Sequence, residues 1–219
     1  MLNALRTRLL DRLKFLKIPE LDVSGDSITE FESLYEQYVS SGNGELIPYD
    51  LPDPKYIFLN YLIENKNIVV HGSNNPNINI FEPRDQTLFN GKKVTAVFAA
   101  SDSIWSMFFA VINRSQYEGS LRNACLTADT KKGVKRYYYF SLNKDYHGKR
   151  WTNGMIYLFD KDGFQQGGAK NEWISEKEVK PIAKIPVEPS DFIFKDSIKL
   201  HDEATSHVKN MMRDLTRKR

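Results

Sequence analysis

The hydrophobic period changes at residue 67, and that change is the strongest constraint on the fold. Before it, apolar residues recur every three or four positions. After it, they come in short β-branched runs or alternate. A chain that runs helical first and then turns to strands belongs to the α+β class. In residues 1–17, Leu2, Leu5, Leu9, Leu13 and Leu16 form one apolar stripe, and Ile18-Pro19 ends the helix. Ser27 with Glu30 reads as a capping box. The second helix then carries Ile28, Phe31, Leu34, Tyr35 and Tyr38 on one face. Asp53-Pro54 reads as the start of a third helix.

Strands are predicted at 67–71, 77–82, 94–100, 134–142, 154–159, 173–175 and 182–187. A helix over 102–113 interrupts them, with Asp102 or Ser103 as its cap. Asn90-Gly91 and 160–163 read as turns. The tail from Asp191 reads as helix, with Ile198, Ala204, Val208, Met211 and Leu215 on one side. The expected organisation is a helical N-terminal extension (1–65), a strand-rich core (66–191) and a C-terminal helix (192–219).

Composition narrows the class further. One cysteine, Cys125, excludes an internal disulfide framework and a paired-cysteine metal site, and fits a reducing, cytoplasmic setting. Apolar runs are far shorter than the ~20 residues of a membrane span, so no membrane partner is expected. No secretory signal is recognised at the N-terminus. Net charge is +3, from 31 basic and 28 acidic side chains. That balance predicts no strong general affinity for nucleic acid. The basic residues are uneven, however. Arg6, Arg8, Arg12, Lys14 and Lys17 open the chain, and Arg213, Arg217, Lys218 and Arg219 close it. These are either solvated helix ends or a binding arm.

Four short stretches carry candidate chemistry when read in order. They are Val70-His71-Gly72-Ser73; the strand Ala96-Val97-Phe98-Ala99-Ala100 with the helix bearing Ser106 and Phe109; Asn153-Gly154-Met155-Ile156-Tyr157; and Asn171-Glu172-Trp173-Ile174-Ser175. Each alone is an ordinary turn, strand or edge charge. Their order resembles the ADP-ribosyltransferase superfamily, in the branch of the poly(ADP-ribose) polymerases and the small rifampin ADP-ribosyltransferases. That branch carries His-Gly-Ser/Thr, Tyr-Phe-Ala with a Ser-x-x-Tyr helix, and Asn-Glu-Tyr-Ile. The resemblance runs from about Ile68 to Asp191.

The resemblance implies an α+β split β-sheet core that binds NAD as substrate. His71 would hydrogen-bond the nicotinamide ribose, Gly72 would hold the carboxamide through its backbone, and Ser73 would continue that loop. Ser106 would meet the carboxamide oxygen, and Phe109 would stack on the nicotinamide ring. Phe98 would follow the second-motif position, and Glu172 would be the catalytic carboxylate. Arg84 reads either as a pyrophosphate contact, whose forked donors suit phosphate oxygens, or as a turn residue paired with Glu82 or Asp85. The family's second-motif tyrosine is replaced by Val97, which offers no hydroxyl. The implied activity is mono-ADP-ribosyl transfer to an unknown acceptor: a protein, a nucleic acid or a small molecule. The alternatives are a non-catalytic NAD or ADP-ribose binding module on the same fold, and a toxin-like NAD glycohydrolase of bacterial type.

Overall fold

The computed structural model describes residues 2–216, with side chains from residue 5 onward. The chain opens with α1 (Leu2–Arg12), β1 (Leu16–Ile18), α2 (Gly25–Tyr38), β2 (Glu45–Leu46) and α3 (Lys55–Asn65). Then come β3 (Ile68–Ser73), β4 (Arg84–Thr87), β5 (Lys93–Ala100) and α4 (Ser103–Val111). β6 (Leu121–Thr130), β7 (Gly133–Asn143), β8 (Gly154–Asp160), β9 (Gln165–Gln166), β10 (Glu172–Ser175) and β11 (Ala183–Val187) follow. β12 (Lys199–His201) and α5 (His207–Thr216) close the described chain. The mixture of helices and sheets is α+β.

The chain divides into two compact units, each built from discontinuous segments. The first comprises residues 1–21, 113–150 and 193–219, and the second 22–112 and 151–192. The division differs from the expected order of extension, core and tail. Helices α2 and α3 belong with the strands of the second unit, and residues 113–150 leave it.

In the first unit β7 is the central strand. β6 runs antiparallel along one edge, from Leu121↔Leu142 to Thr130↔Gly133. β1 and β12 share the other edge end to end, at Lys17↔Tyr137 and Leu200↔Leu142. α1 and α5 cover one face. There Leu10, Phe15, Met211 and Leu215 pack on Ala124, Ala128, Tyr137 and Tyr139. Small alanines at the inward positions of β6 leave room for the helices and hide the strand's alternation from a hydropathy reading. Residues 115–132, where the sequence predicts no element, are therefore largely strand. Cys125 is buried and free.

The second unit holds an eight-stranded sheet of order β2-β11-β8-β3-β5-β10-β9, with β4 beside β5. α2 and α3 pack through Phe31, whose ring meets Phe58 at 5.3 Å and Tyr61 at 5.5 Å. Ser24, not Ser27, caps α2, accepting from the Ser27 N–H. Asp102 caps α4 as expected, accepting from the Trp105 N–H at 2.8 Å.

Two segments depart from the expected elements. Residues 77–82 form no strand; Phe81 makes one isolated bridge to Val179, and the rest is loop. Among its described residues the tail is α-helical over His207–Thr216, preceded by a 3-10 turn at Lys195–Ser197 and by β12. In both, apolar spacing alone matched a template that tertiary pairing overrode. Arg217, Lys218 and Arg219 lie outside the described residues. Among the described residues no helix is long and apolar enough to cross a membrane.

Candidate functional site

β3 and β5 part company in the middle of the second unit's sheet. β3 pairs with β8 over its whole length, from Ile68↔Asp160 to Ser73↔Met155. It pairs with β5 at Val70↔Ala100 alone. Beyond that pair the two strands diverge, and residues 71–73 face a mouth rather than a neighbour. Three otherwise buried elements of this unit carry partly open positions. In β3, Ile68, Val69 and Val70 are buried while His71, Gly72 and Ser73 are partly open. From Val97 to Ala100 in β5, only Phe98 is not buried. In α4, every residue except Phe109 is buried.

His71 spans the mouth. Its Nδ1 lies 2.6 Å from the Phe98 carbonyl. A carbonyl can only accept, so Nδ1 carries the proton and donates. Burial pushes the imidazole pKa down and the nearby Arg84 charge adds to that, while the Phe98 carbonyl opposes it. The ring is therefore neutral at pH 7, and Nε2 presents a lone pair. The Phe81 ring meets His71 edge-on at 5.0 Å.

α4 sits directly on Gly72. A Cβ there would lie 1.9 Å from the Ser106 carbonyl oxygen, so no other residue fits. Gly154 on β8 meets Ala110 with the same closeness. The Ser106 hydroxyl donates to the Val70 carbonyl at 3.2 Å and is buried. It ties the helix to β3, whereas the sequence reading had it meeting a carboxamide. The Ser73 hydroxyl accepts from the Asn75 N–H, which turns the chain out of the strand. The loop that follows hangs from Tyr157, whose hydroxyl donates to the Asn75 carbonyl and accepts from the Ile78 N–H.

Glu172 opens β10 opposite Ala100. Val70, Ala100 and Glu172 form one row across three strands, so their side chains share a face. Phe98 and Ile174 lie on that face too, two residues along. Two strand spacings, about 10 Å, separate the β3 and β10 backbones along this row. His71 follows Val70 and leaves its strand from the opposite face. Val97 also points that way and packs with Val69, Phe81, Tyr157 and Phe159. Thus Phe98, not Val97, is the aromatic side chain on the carboxylate's side. Trp173 lies on the far face, with Lys161 4.2 Å above its ring, and does not share the face of Glu172.

The Glu172 carboxylate is 5% exposed and held by backbone amides. Phe89 donates to its two oxygens at 3.1 and 3.3 Å, and Gly168 donates at 2.5 Å. Phe89 belongs to the β4–β5 turn, where Leu88 packs on Ala96 and Ile174 so that the turn folds over the sheet. Gly168 meets Asn90 closely: a Cβ there would lie 2.8 Å from the Asn90 nitrogen. The sequence reading did not find this clamp. Its signals were the Asn90-Gly91 turn and the Gly167-Gly168 pair ahead of Glu172.

Arg84 begins β4, is exposed and makes no ion pair among the described residues. Asp85 instead accepts from the Thr95 hydroxyl, so the paired-turn reading of Arg84 is not realised. Its effect on His71 puts its charge near the mouth. No group of histidine, cysteine and carboxylate side chains among the described residues could hold a metal ion. No family model, no curated protein and no solved structure matches the chain.

Proposed function

We propose that the second unit binds NAD at the mouth between β3 and β5 and transfers its ADP-ribose to an acceptor. The observation that carries the reading is the coincidence of openness with motif. His71, Gly72, Ser73, Phe98 and Phe109 are the partly open positions of otherwise buried stretches, beside a strand that carries a buried carboxylate. In this reading Phe98 and Phe109 offer flat surfaces to the nicotinamide ring. The free Nε2 of His71 accepts a hydrogen bond from a ribose hydroxyl. Arg84 meets the pyrophosphate.

The reaction breaks the bond between ribose C1′ and the nicotinamide nitrogen, and nicotinamide leaves with the bonding pair. Glu172 stabilises the cation that develops on the ribose. The acceptor's nucleophile then bonds to C1′ and releases its proton to solvent; with water as acceptor the product is free ADP-ribose. The test is release of nicotinamide from NAD by the full chain. Glu172→Gln should slow it about a hundredfold or more while leaving NAD binding in place. Absence of release by wild type and variant alike would reject transfer.

A second reading, a non-catalytic NAD or ADP-ribose binding module, is favoured by the three amide contacts that occupy the Glu172 carboxylate. Calorimetric binding of NAD without nicotinamide release would select it.

A further inference from the structure

The near-neutral balance of the whole chain conceals a separation of charge between its two units. The first unit carries 21 lysines and arginines against 9 aspartates and glutamates, a formal +12. The second carries 10 against 19, a formal −9. A near-neutral total therefore says little about what either part attracts.

The first unit's positive charge is also uncovered. α1 and α5 lie on one face of its sheet, and each contains a single acid. Both acids are engaged. Asp11 accepts from Lys135 at 2.7 and 2.9 Å and from the Tyr137 hydroxyl at 3.1 Å. Asp214 accepts from the Tyr139 hydroxyl at 2.9 Å and from Asn210 at 3.3 Å. Arg6, Arg8, Arg12 and Lys209 are exposed and make no ion pair among the described residues. Lys131 and Lys132 at the β6–β7 turn extend the charge beyond the helices.

We propose that this helix-bearing face of the first unit binds the phosphodiester backbone of a nucleic acid duplex. The proposal does not depend on ADP-ribosyl transfer. Dispersed, unpaired arginine and lysine side chains suit a regular array of phosphates. The aromatic side chains of β7 (Tyr137, Tyr138, Tyr139 and Phe140) are all buried, so this strand offers no platform for stacking single-stranded bases. Binding is therefore to the backbone and largely independent of sequence. A lipid surface fits less well. An interfacial helix inserts its apolar face, whereas α1 turns Leu10 onto the sheet and Leu13, just past its end, packs there too. What remains exposed is Leu5 and Leu9 on α1, and Val208 and Met212 on α5.

The test is fluorescence anisotropy of the full chain with labelled DNA and RNA duplexes of about 20 base pairs, between roughly 50 and 200 mM salt. Affinity should fall linearly with salt on logarithmic axes. The combined variant Arg6→Gln, Arg8→Gln, Arg12→Gln should bind at least about tenfold more weakly at ~100 mM salt, and its slope should drop by about 3. Circular dichroism checks that its helices persist. Lys177→Gln with Lys180→Gln, on the second unit, should change neither quantity. Failure of both duplexes to bind at the lowest salt would overturn the proposal, as would equal binding by the arginine variant. Binding to phosphatidylglycerol vesicles with no binding to either duplex would assign the face to a membrane instead.

Discussion

Two side chains define what the mouth between β3 and β5 can do. His71 keeps its proton on Nδ1 because the Phe98 carbonyl requires a donor, which leaves Nε2 as an acceptor. Glu172 is bound by the backbone amides of Phe89 and Gly168. For the carboxylate to reach a ribose hydroxyl, the β4–β5 turn has to release it. A hydrogen bond to a charged acceptor is worth about 1.5 kcal/mol or more, so loss of one shifts the opening equilibrium about tenfold. Phe89→Pro removes the donor, and Gly168→Ala pushes on Asn90 from the other side. Both are expected to speed nicotinamide release about tenfold and to accelerate hydrogen exchange of the remaining clamping amide. A slower reaction in both variants would mean that the turn positions the carboxylate for catalysis instead of withholding it.

At the scale of elements, the site depends on how closely α4 can approach the sheet. Gly72 and Gly154 admit the helix backbone where any Cβ would collide with a carbonyl oxygen. Gly72→Ala or Gly154→Ala should therefore cost about 1–3 kcal/mol or more of stability, read as a lower denaturant midpoint. A neutral effect at both would mean that α4 shifts freely. The sequence made much of this arrangement legible. The Asp102 cap and the strand of β5 are local signals, and each matched its place. What stayed hidden depends on partners remote in sequence. Residues 121–130 pair with β7 behind small inward alanines. Residues 199–201 join the sheet edge through a parallel pairing with β7 that no local pattern encodes. The clamp on Glu172 brings to its carboxylate a backbone amide 83 residues away, and backbone donors carry no residue signature. The resemblance puts Val97 where the family it resembles has a tyrosine. It could not show that strand alternation turns this position into the core and leaves Phe98 beside the carboxylate.

On the scale of the whole molecule, the distribution of titratable groups predicts how stability follows pH, unit by unit. The three tryptophans, Trp105, Trp151 and Trp173, all belong to the second unit, so their fluorescence reports its unfolding. His71 is the one histidine in that unit. Burial lowers its folded pKa below the unfolded value near 6.5, so below about pH 6.5 the unfolded chain binds the proton more readily than the folded one. The second unit should hold its stability from neutral pH down to about 6.5 and lose it as the pH falls toward 5. Glu32 is held low by Lys66 and Tyr61, so a further loss should follow below about pH 4.5. On the alkaline side, Tyr61 is pushed up to about 12 by its hydrogen bond to Glu32, and burial also raises Tyr56 and Tyr157. Ionisation of these phenols in the unfolded chain should erode stability above about pH 10. Tryptophan-monitored denaturation at a series of pH values gives the profile. His71→Gln should remove the pH dependence between about 6.5 and 5 and leave the other two slopes intact. A wild-type midpoint that rises as the pH falls through that window would show that His71 gains a proton on folding, contrary to a neutral imidazole at the mouth.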